Sequence, residues 1–207
     1  MGKFIMISAC ALAFAAASFA TDGKTTWNFD KDRVGTVPPG FARAAGGWRI
    51  AADPTAPSQP NVLAQRAKNT DRTLNLIQVA GTSYRNLDIS VKIRVIEGKS
   101  WQGGGLVWRA VDAGNYYAAL VNPLDNSIRL YRVANSWPTE LVTGELKQVP
   151  GWHTLRIVMT EERMECYYDG KKYLDRRDAT YGKAGTIGLW TRGDAETYFD
   201  DLTVLAR

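Results

Sequence analysis

Residues Gly103–Val121 read GGGLVWRAVDAGNYYAALV. Two apolar runs rich in Trp, Tyr and Val flank Asp112, Gly114 and Asn115, residues that favour a tight reversal of the chain. The stretch therefore reads as a strand, a hairpin bend and a returning strand. Three glycines at its front leave room for a bulky side chain or a ligand to approach the backbone. In Leu106–Arg109 the two-residue period puts Leu106 and Trp108 on one face and Val107 and Arg109 on the other. Tyr116 and Tyr117 must likewise point oppositely, so one of them faces a groove.

The same period runs through the chain on either side. In Arg85–Ile96, Leu87, Ile89, Val91, Ile93 and Val95 alternate with polar residues, and further strands are expected near Leu106–Ala110, Tyr116–Val121, Ile128–Val133, Leu155–Met159, Glu165–Tyr168, Thr186–Thr191 and Thr197–Val204. Asp125-Asn126, Glu161-Glu162-Arg163 and Asp169-Gly170 supply turns between them. No helical stripe of twelve or more residues follows the first twenty positions. Many short strands in one chain point to two antiparallel sheets packed face to face. Toward the amino terminus, Val37–Phe41 reads as a turn leading to Trp48-Arg49-Ile50. Asp53–Pro60 is a proline-rich surface loop of the same unit.

The chain has 207 residues, with 45% hydrophobic and 23% charged positions. These values fit one globular domain and exclude a disordered chain. The first twenty residues stand apart: Lys3 precedes an almost wholly apolar Phe4–Phe19, and Ser18-Phe19-Ala20 resembles a cleavage site. The expectation is a signal peptide over 1–20 and a mature domain over 21–207, secreted to the periplasm. A membrane span requires about 20 apolar residues, more than this run supplies, so no span is expected after cleavage. Cys10 leaves with the signal, and Cys166, in an alternating segment, is then the only cysteine and a core residue.

The net charge of +5 suits solubility and gives no reason to expect nucleic acid. Lys171-Lys172 and Arg176-Arg177 are read as a charged strand edge that discourages pairing with other chains.

Several blocks together resemble the concanavalin A-like lectin/glucanase superfamily: Gly104–Arg109, Asn115-Tyr116-Tyr117, Ile128–Tyr131, Trp152–Leu155, Tyr168–Lys171, Gly185–Thr191 and Tyr198–Leu202. Within it the chain is most similar to laminin-G-like domains and to the bacterial keto-disaccharide hydrolase group, over roughly Trp27 to Leu205. The resemblance implies an all-β, antiparallel two-sheet jelly-roll sandwich. It does not imply one activity, because this architecture carries lectins, hydrolases and lyases alike.

Residue chemistry narrows the options. Retaining glycosidases hold two carboxyl groups about 5–5.5 Å apart, and no Glu-x-Asp-x-x-Glu strand is present. Glu161, Glu162 and Glu165 bracket a turn. Tyr181-x-Lys183-x-Gly185 partly resembles an alginate-lyase motif whose other segments are missing, and His153 has no identifiable partner as a general base. A nucleophile elbow is absent, and one His with one mature Cys leaves no zinc site.

What remains is a chain with seven tryptophans and nine tyrosines. Sugars stack their C–H faces on aromatic rings, while Arg, Asn and Asp bind hydroxyls. The expected ligand contacts are Trp101, Arg109, Tyr117, Arg129, Tyr131 and Trp137, on the concave sheet; Trp190 and Arg192 share a face near the end. The leading reading is a non-catalytic, lectin-like glycan binder without a cofactor. Alternatives are a glycan-active hydrolase of the keto-disaccharide type, using Asp112, Glu140 or another carboxylate, and a laminin-G-like module docking a protein partner. A structural calcium is a further expectation, with Asp30 and Asp200 or Asp201 as ligands.

Overall fold

The computed structural model describes residues 23–147 and 149–207. The expected signal peptide, with Cys10, lies outside them. Among the described residues the chain forms fifteen strands and one 3-10 turn, and no helix is long and apolar enough to cross a membrane.

The strands are β1 (Lys24–Trp27), β2 (Phe41–Ala45), β3 (Trp48–Ala52), β4 (Asn61–Gln65), β5 (Leu74–Val79), β6 (Leu87–Glu97), β7 (Gly105–Asp112), β8 (Asn115–Asn122), β9 (Ser127–Ala134), β10 (Trp137–Glu145), β11 (His153–Thr160), β12 (Arg163–Tyr168), β13 (Lys171–Arg177), β14 (Thr186–Arg192) and β15 (Glu196–Ala206). One sheet runs β13-β12-β11-β6-β15-β4-β3, with β1 also on β15; the other runs β10-β9-β8-β7-β14-β5-β2. Every pairing is antiparallel. The protein is an all-β sandwich of two antiparallel sheets, as its two-residue periodicity leads one to expect, and its jelly-roll form is the one the concanavalin A-like resemblance implies.

Strand β6 shows how the sequence makes the sandwich. Leu87, Ile89, Val91 and Ile93 are buried, while Asp88, Ser90, Lys92 and Arg94 between them are half-exposed. Facing them from the second sheet are Leu106, Trp108, Tyr117, Ala119, Val121, Ile128, Leu130, Ile187 and Leu189, members of one continuous core cluster. Cys166 belongs to it too, and burial raises its thiol pKa, which suppresses the reactive thiolate. The charged strand β13 forms the edge of its sheet, where lysines discourage pairing with other chains.

The glycines of the opening stretch serve the fold. A Cβ on Gly103 would lie 1.9 Å from the Val121 carbonyl oxygen, and one on Gly105 would lie 2.0 Å from that of Ala119. The group approaching the backbone is the neighbouring strand, not a ligand.

On the other sheet, β15 carries β4 at Thr197–Phe199 and β1 at Leu202–Leu205 along one edge. Between these pairings Asp201 takes a left-handed φ of 47° and the register with β6 shifts, the signature of a β-bulge.

Candidate functional site

The seven-stranded sheet has a second apolar cluster on the face turned away from the sandwich core. Leu76, Val107, Ala110, Tyr116, Ala118, Leu120, Tyr131, Val133 and Trp190 form it, with Leu74 and Trp101 packed against it. Strand register aligns one row across the sheet: Glu140, Tyr131, Ala118, Val107, Gly188 and Gln78. Small side chains at Ala118 and Gly188 lower the middle of this row.

Rings and charges surround that floor. Tyr131 meets Trp190 edge-on, with centroids 5.6 Å apart and ring planes at 78°, a favourable aromatic geometry. The Trp190 indole N–H donates to the Ala119 carbonyl at 2.7 Å, which fixes its ring. Arg129 hydrogen-bonds Asp125 through Nη2, and its Nε lies 3.4 Å from Glu140 Oε2. Burial raises the Tyr131 pKa, opposed by the neighbouring Arg129 charge.

At the opposite side of this face the Arg192 guanidinium lies 4.0 Å from the Trp101 ring centre, a cation–π contact. The loop bearing Trp101 is clamped from below by Asp194, whose carboxylate accepts the backbone N–H groups of Lys99 at 2.7 Å, Ser100 at 3.1 Å and Trp101 at 3.0 Å. Burial alone would raise the Asp194 pKa; these three donors outweigh it and hold the carboxyl below its ordinary value. A cleft of about 460 Å³ opens beside this loop between Lys68, Glu97, Gly98, Lys99 and Asp194. Its Lys68 is already paired with Glu97 and Glu196.

Of the six expected contacts, Trp101, Arg129 and Tyr131 come together on this outer face. Arg109 does not. It sits at a bulge in β7 with φ 48°, so alternation fails there and the side chain enters the protein, 1% exposed. Its Nε donates to Arg85 O at 2.7 Å, Nη1 to Tyr181 O at 2.9 Å and Nη2 to Glu161 O at 2.6 Å. It ties three segments together and, at that burial, presents no donor to a ligand on the surface.

Tyr117 is likewise an interior group. It packs between Trp108 and Tyr181, and its hydroxyl donates to Asp178 Oδ1 at 2.6 Å. Tyr116 is the member of the pair that faces the outer cluster, where its hydroxyl is buried without a protein partner among the described residues. Trp137 is 72% exposed, but it pairs with Ala134, one residue past Val133. Parity places it on the side opposite Tyr131.

The expected calcium ligands do not form a cage. Asp200 Oδ2 accepts the Ser58 N–H at 2.8 Å, while Oδ1 accepts the Ser58 hydroxyl at 2.9 Å and the Asp201 N–H at 2.7 Å. Both oxygens are thus occupied in holding the loop before β4 to the bulge in β15. Among the described residues no three His, Cys, Asp or Glu side chains gather in a metal-binding group, short of the six to eight oxygens calcium takes. The His153 ring contacts Asp169 at 2.7 Å and Val149 O at 2.8 Å, so both nitrogens are committed to neighbouring protein atoms. Asp112 is spent on its own turn, accepting from Gly114 N and Asn115 Nδ2.

Residues 22–205 match the 3-keto-alpha-glucoside-1,2-lyase-like domain. The chain belongs to that family. This domain is a member of the concanavalin A-like lectin/glucanase superfamily. No curated protein matches the sequence. Among solved structures, the carbohydrate-binding module CBM66 from Bacillus subtilis superposes with a TM-score of 0.68 at 20% identity, covering 81% of this chain and 96% of that one. The GH43 protein BlXynB from Bacillus licheniformis gives a TM-score of 0.63 at 16% identity over 92% of this chain, which spans only 40% of BlXynB. A glycosyl hydrolase assignment from Parabacteroides distasonis gives 0.53 at 12% identity, covering 81% and 88% of the two chains. At these identities the likeness is one of fold.

Proposed function

We propose that the domain recognises a carbohydrate on the outer face of its seven-stranded sheet. The observation that carries this reading is the gathering of Trp101, Tyr131 and Trp190 with Arg129, Arg192 and Glu140 on one side of a single sheet. The part-exposed Trp101 ring supplies a stacking surface, the buried Tyr131 and Trp190 rings supply the apolar floor that holds the face in shape, and the charged groups supply directed hydrogen bonds to hydroxyls. The likeness to a carbohydrate-binding module supports it. Binding without turnover is favoured because Asp125 is hydrogen-bonded to Arg129, which leaves Glu140 as the single open carboxylate of that contact. No free acid/base pair is left in that contact.

The family match favours a second reading, cleavage of a 3-keto glycoside. A ketone at C3 acidifies the hydrogen on C2; removing it and expelling the C1 oxygen requires a base, a stabiliser for the enolate and an acid. Glu140 is the carboxylate on this face suited to the base. Export is part of the proposal and rests on the apolar Phe4–Phe19 run after Lys3.

The test is a glycan panel that includes 3-keto glucosides, with binding measured by calorimetry and products by mass spectrometry. Binding with intact glycans is the expected result. Turnover that Glu140→Gln abolishes replaces the first reading with the second. Silence toward every sugar overturns both and leaves a protein partner.

A further inference from the structure

We infer that the sugar this face takes is an acidic one, a uronate whose carboxylate is received by Arg192. The inference rests on the carbohydrate reading of the same face and adds the charge of the ligand.

The argument is one of unsatisfied charge. Among the described residues six arginines are buried or half-buried: Arg94, Arg109, Arg129, Arg132, Arg156 and Arg192. Arg94, Arg129, Arg132 and Arg156 each have a carboxylate within 4 Å, from Asp53, Asp125, Asp178 and Asp88. Arg109 has none, but carbonyl oxygens occupy its Nε and both Nη atoms. Arg192 differs from all of these. Its Nε donates to Asp71 O at 3.1 Å, its plane rests on Trp101, and its two terminal nitrogens have no acceptor among the described residues.

A half-buried guanidinium has lost part of its hydration, and a carboxylate is the group that restores it with two parallel hydrogen bonds. The surroundings suit a carboxylated sugar better than a bare anion. The part-exposed Trp101 ring under Arg192 offers a stacking edge above a floor in which Tyr131 and Trp190 are buried, and Glu140 at the Arg129 side offers an acceptor for a hydroxyl rather than room for a second negative charge. The face is therefore polarised, with its uncompensated positive charge at Arg192. Asp194, which clamps the Trp101 backbone, holds the surface on which that guanidinium is stacked.

The experiment uses the full domain and matched ligands: oligouronates, the same oligomers with their carboxylates reduced to primary alcohols, and inorganic phosphate. Hydrogen bonds between charged groups are about twice as strong as neutral ones, so carboxyl reduction is expected to weaken binding roughly tenfold or more. Arg192→Gln is expected to weaken the oligouronate far more than its reduced form, so that the difference in affinity between the two ligands disappears. Arg192→Lys, which keeps the charge and loses the fork, is expected to fall between. With the unaltered protein, rising salt should weaken the oligouronate and spare the reduced oligomer. Equal binding of acidic and reduced oligomers overturns the inference and leaves the carbohydrate reading standing. Equal binding of phosphate and oligouronate overturns the requirement for a sugar, and binding of neither oligomer overturns both readings together.

Discussion

Replacing Arg109 with methionine separates a structural arginine from a ligand-binding one. The substitution keeps the aliphatic stem and removes donors from three carbonyl oxygens, those of Arg85, Tyr181 and Glu161, at a site where the arginine is 1% exposed. A buried acceptor left unpaired costs about 1–3 kcal/mol. Three of them, with water reaching some of the vacated space, give a loss of about 3–5 kcal/mol. A domain of this size loses about 2–4 °C of melting temperature per kcal/mol, so Arg109→Met should melt roughly 10 °C or more below the parent. Calorimetry at a temperature where the variant is still folded should return the parent's glycan affinity, because nothing on the outer face has changed. Near-UV circular dichroism follows the unfolding. A variant that melts within about 2 °C of the parent, or that stays folded and loses its ligand, refutes the assignment of Arg109 to the scaffold.

Gly105→Ala should destabilise by about 3 kcal/mol or more, read by chemical denaturation, since overpacking at a backbone neighbour has no flexible side chain to yield; an alanine variant as stable as the parent removes the close approach at 2.0 Å. Burial raises the Asp200 carboxyl from 3.8 to about 6. The folded state therefore binds the proton more tightly than the unfolded state, so this group's contribution is full below pH 4 and is lost as pH rises through 6. That amounts to about 3 kcal/mol by pH 7. The difference in stability between the parent and Asp200→Asn should change by about this amount across that window, and neither calcium nor a chelator should alter it; a flat difference, or one that calcium removes, contradicts the assignment. Trp137→Ala should leave both stability and glycan affinity unchanged in thermal melts and calorimetry, and a lost affinity would return Trp137 to the site.

Most of the fold was legible in the sequence because burial imposes a two-residue period wherever a strand has one face inside. Leu87–Ile93 is the clearest case. Strand β10 escaped notice because it is an edge strand containing Pro138 and Gly144, with five of its nine residues exposed, so neither face imposes a pattern. The site was less legible, for reasons that local pattern cannot supply. Which of Tyr116 and Tyr117 faces outward depends on the register of β8 against β7 and β9. Arg109 left its expected face because an irregularity adds two residues to β7 between Trp108 and Asp112, relative to β8. Trp190 and Arg192 could be seen to share a face; that this face also holds Tyr131 and Arg129 depends on only β8 and β7 standing between β9 and β14.

The seven indole N–H groups of the chain give the most direct test of where a ligand sits. Two-dimensional nitrogen–proton spectra should be recorded on labelled protein during titration with the tightest glycan from the panel. The Trp101 signal should move along the binding curve, while those of Trp48, Trp108 and Trp137 stay in place. Movement confined to Trp137, or to the core indoles of Trp48 and Trp108, would contradict a binding site on the outer face of the seven-stranded sheet.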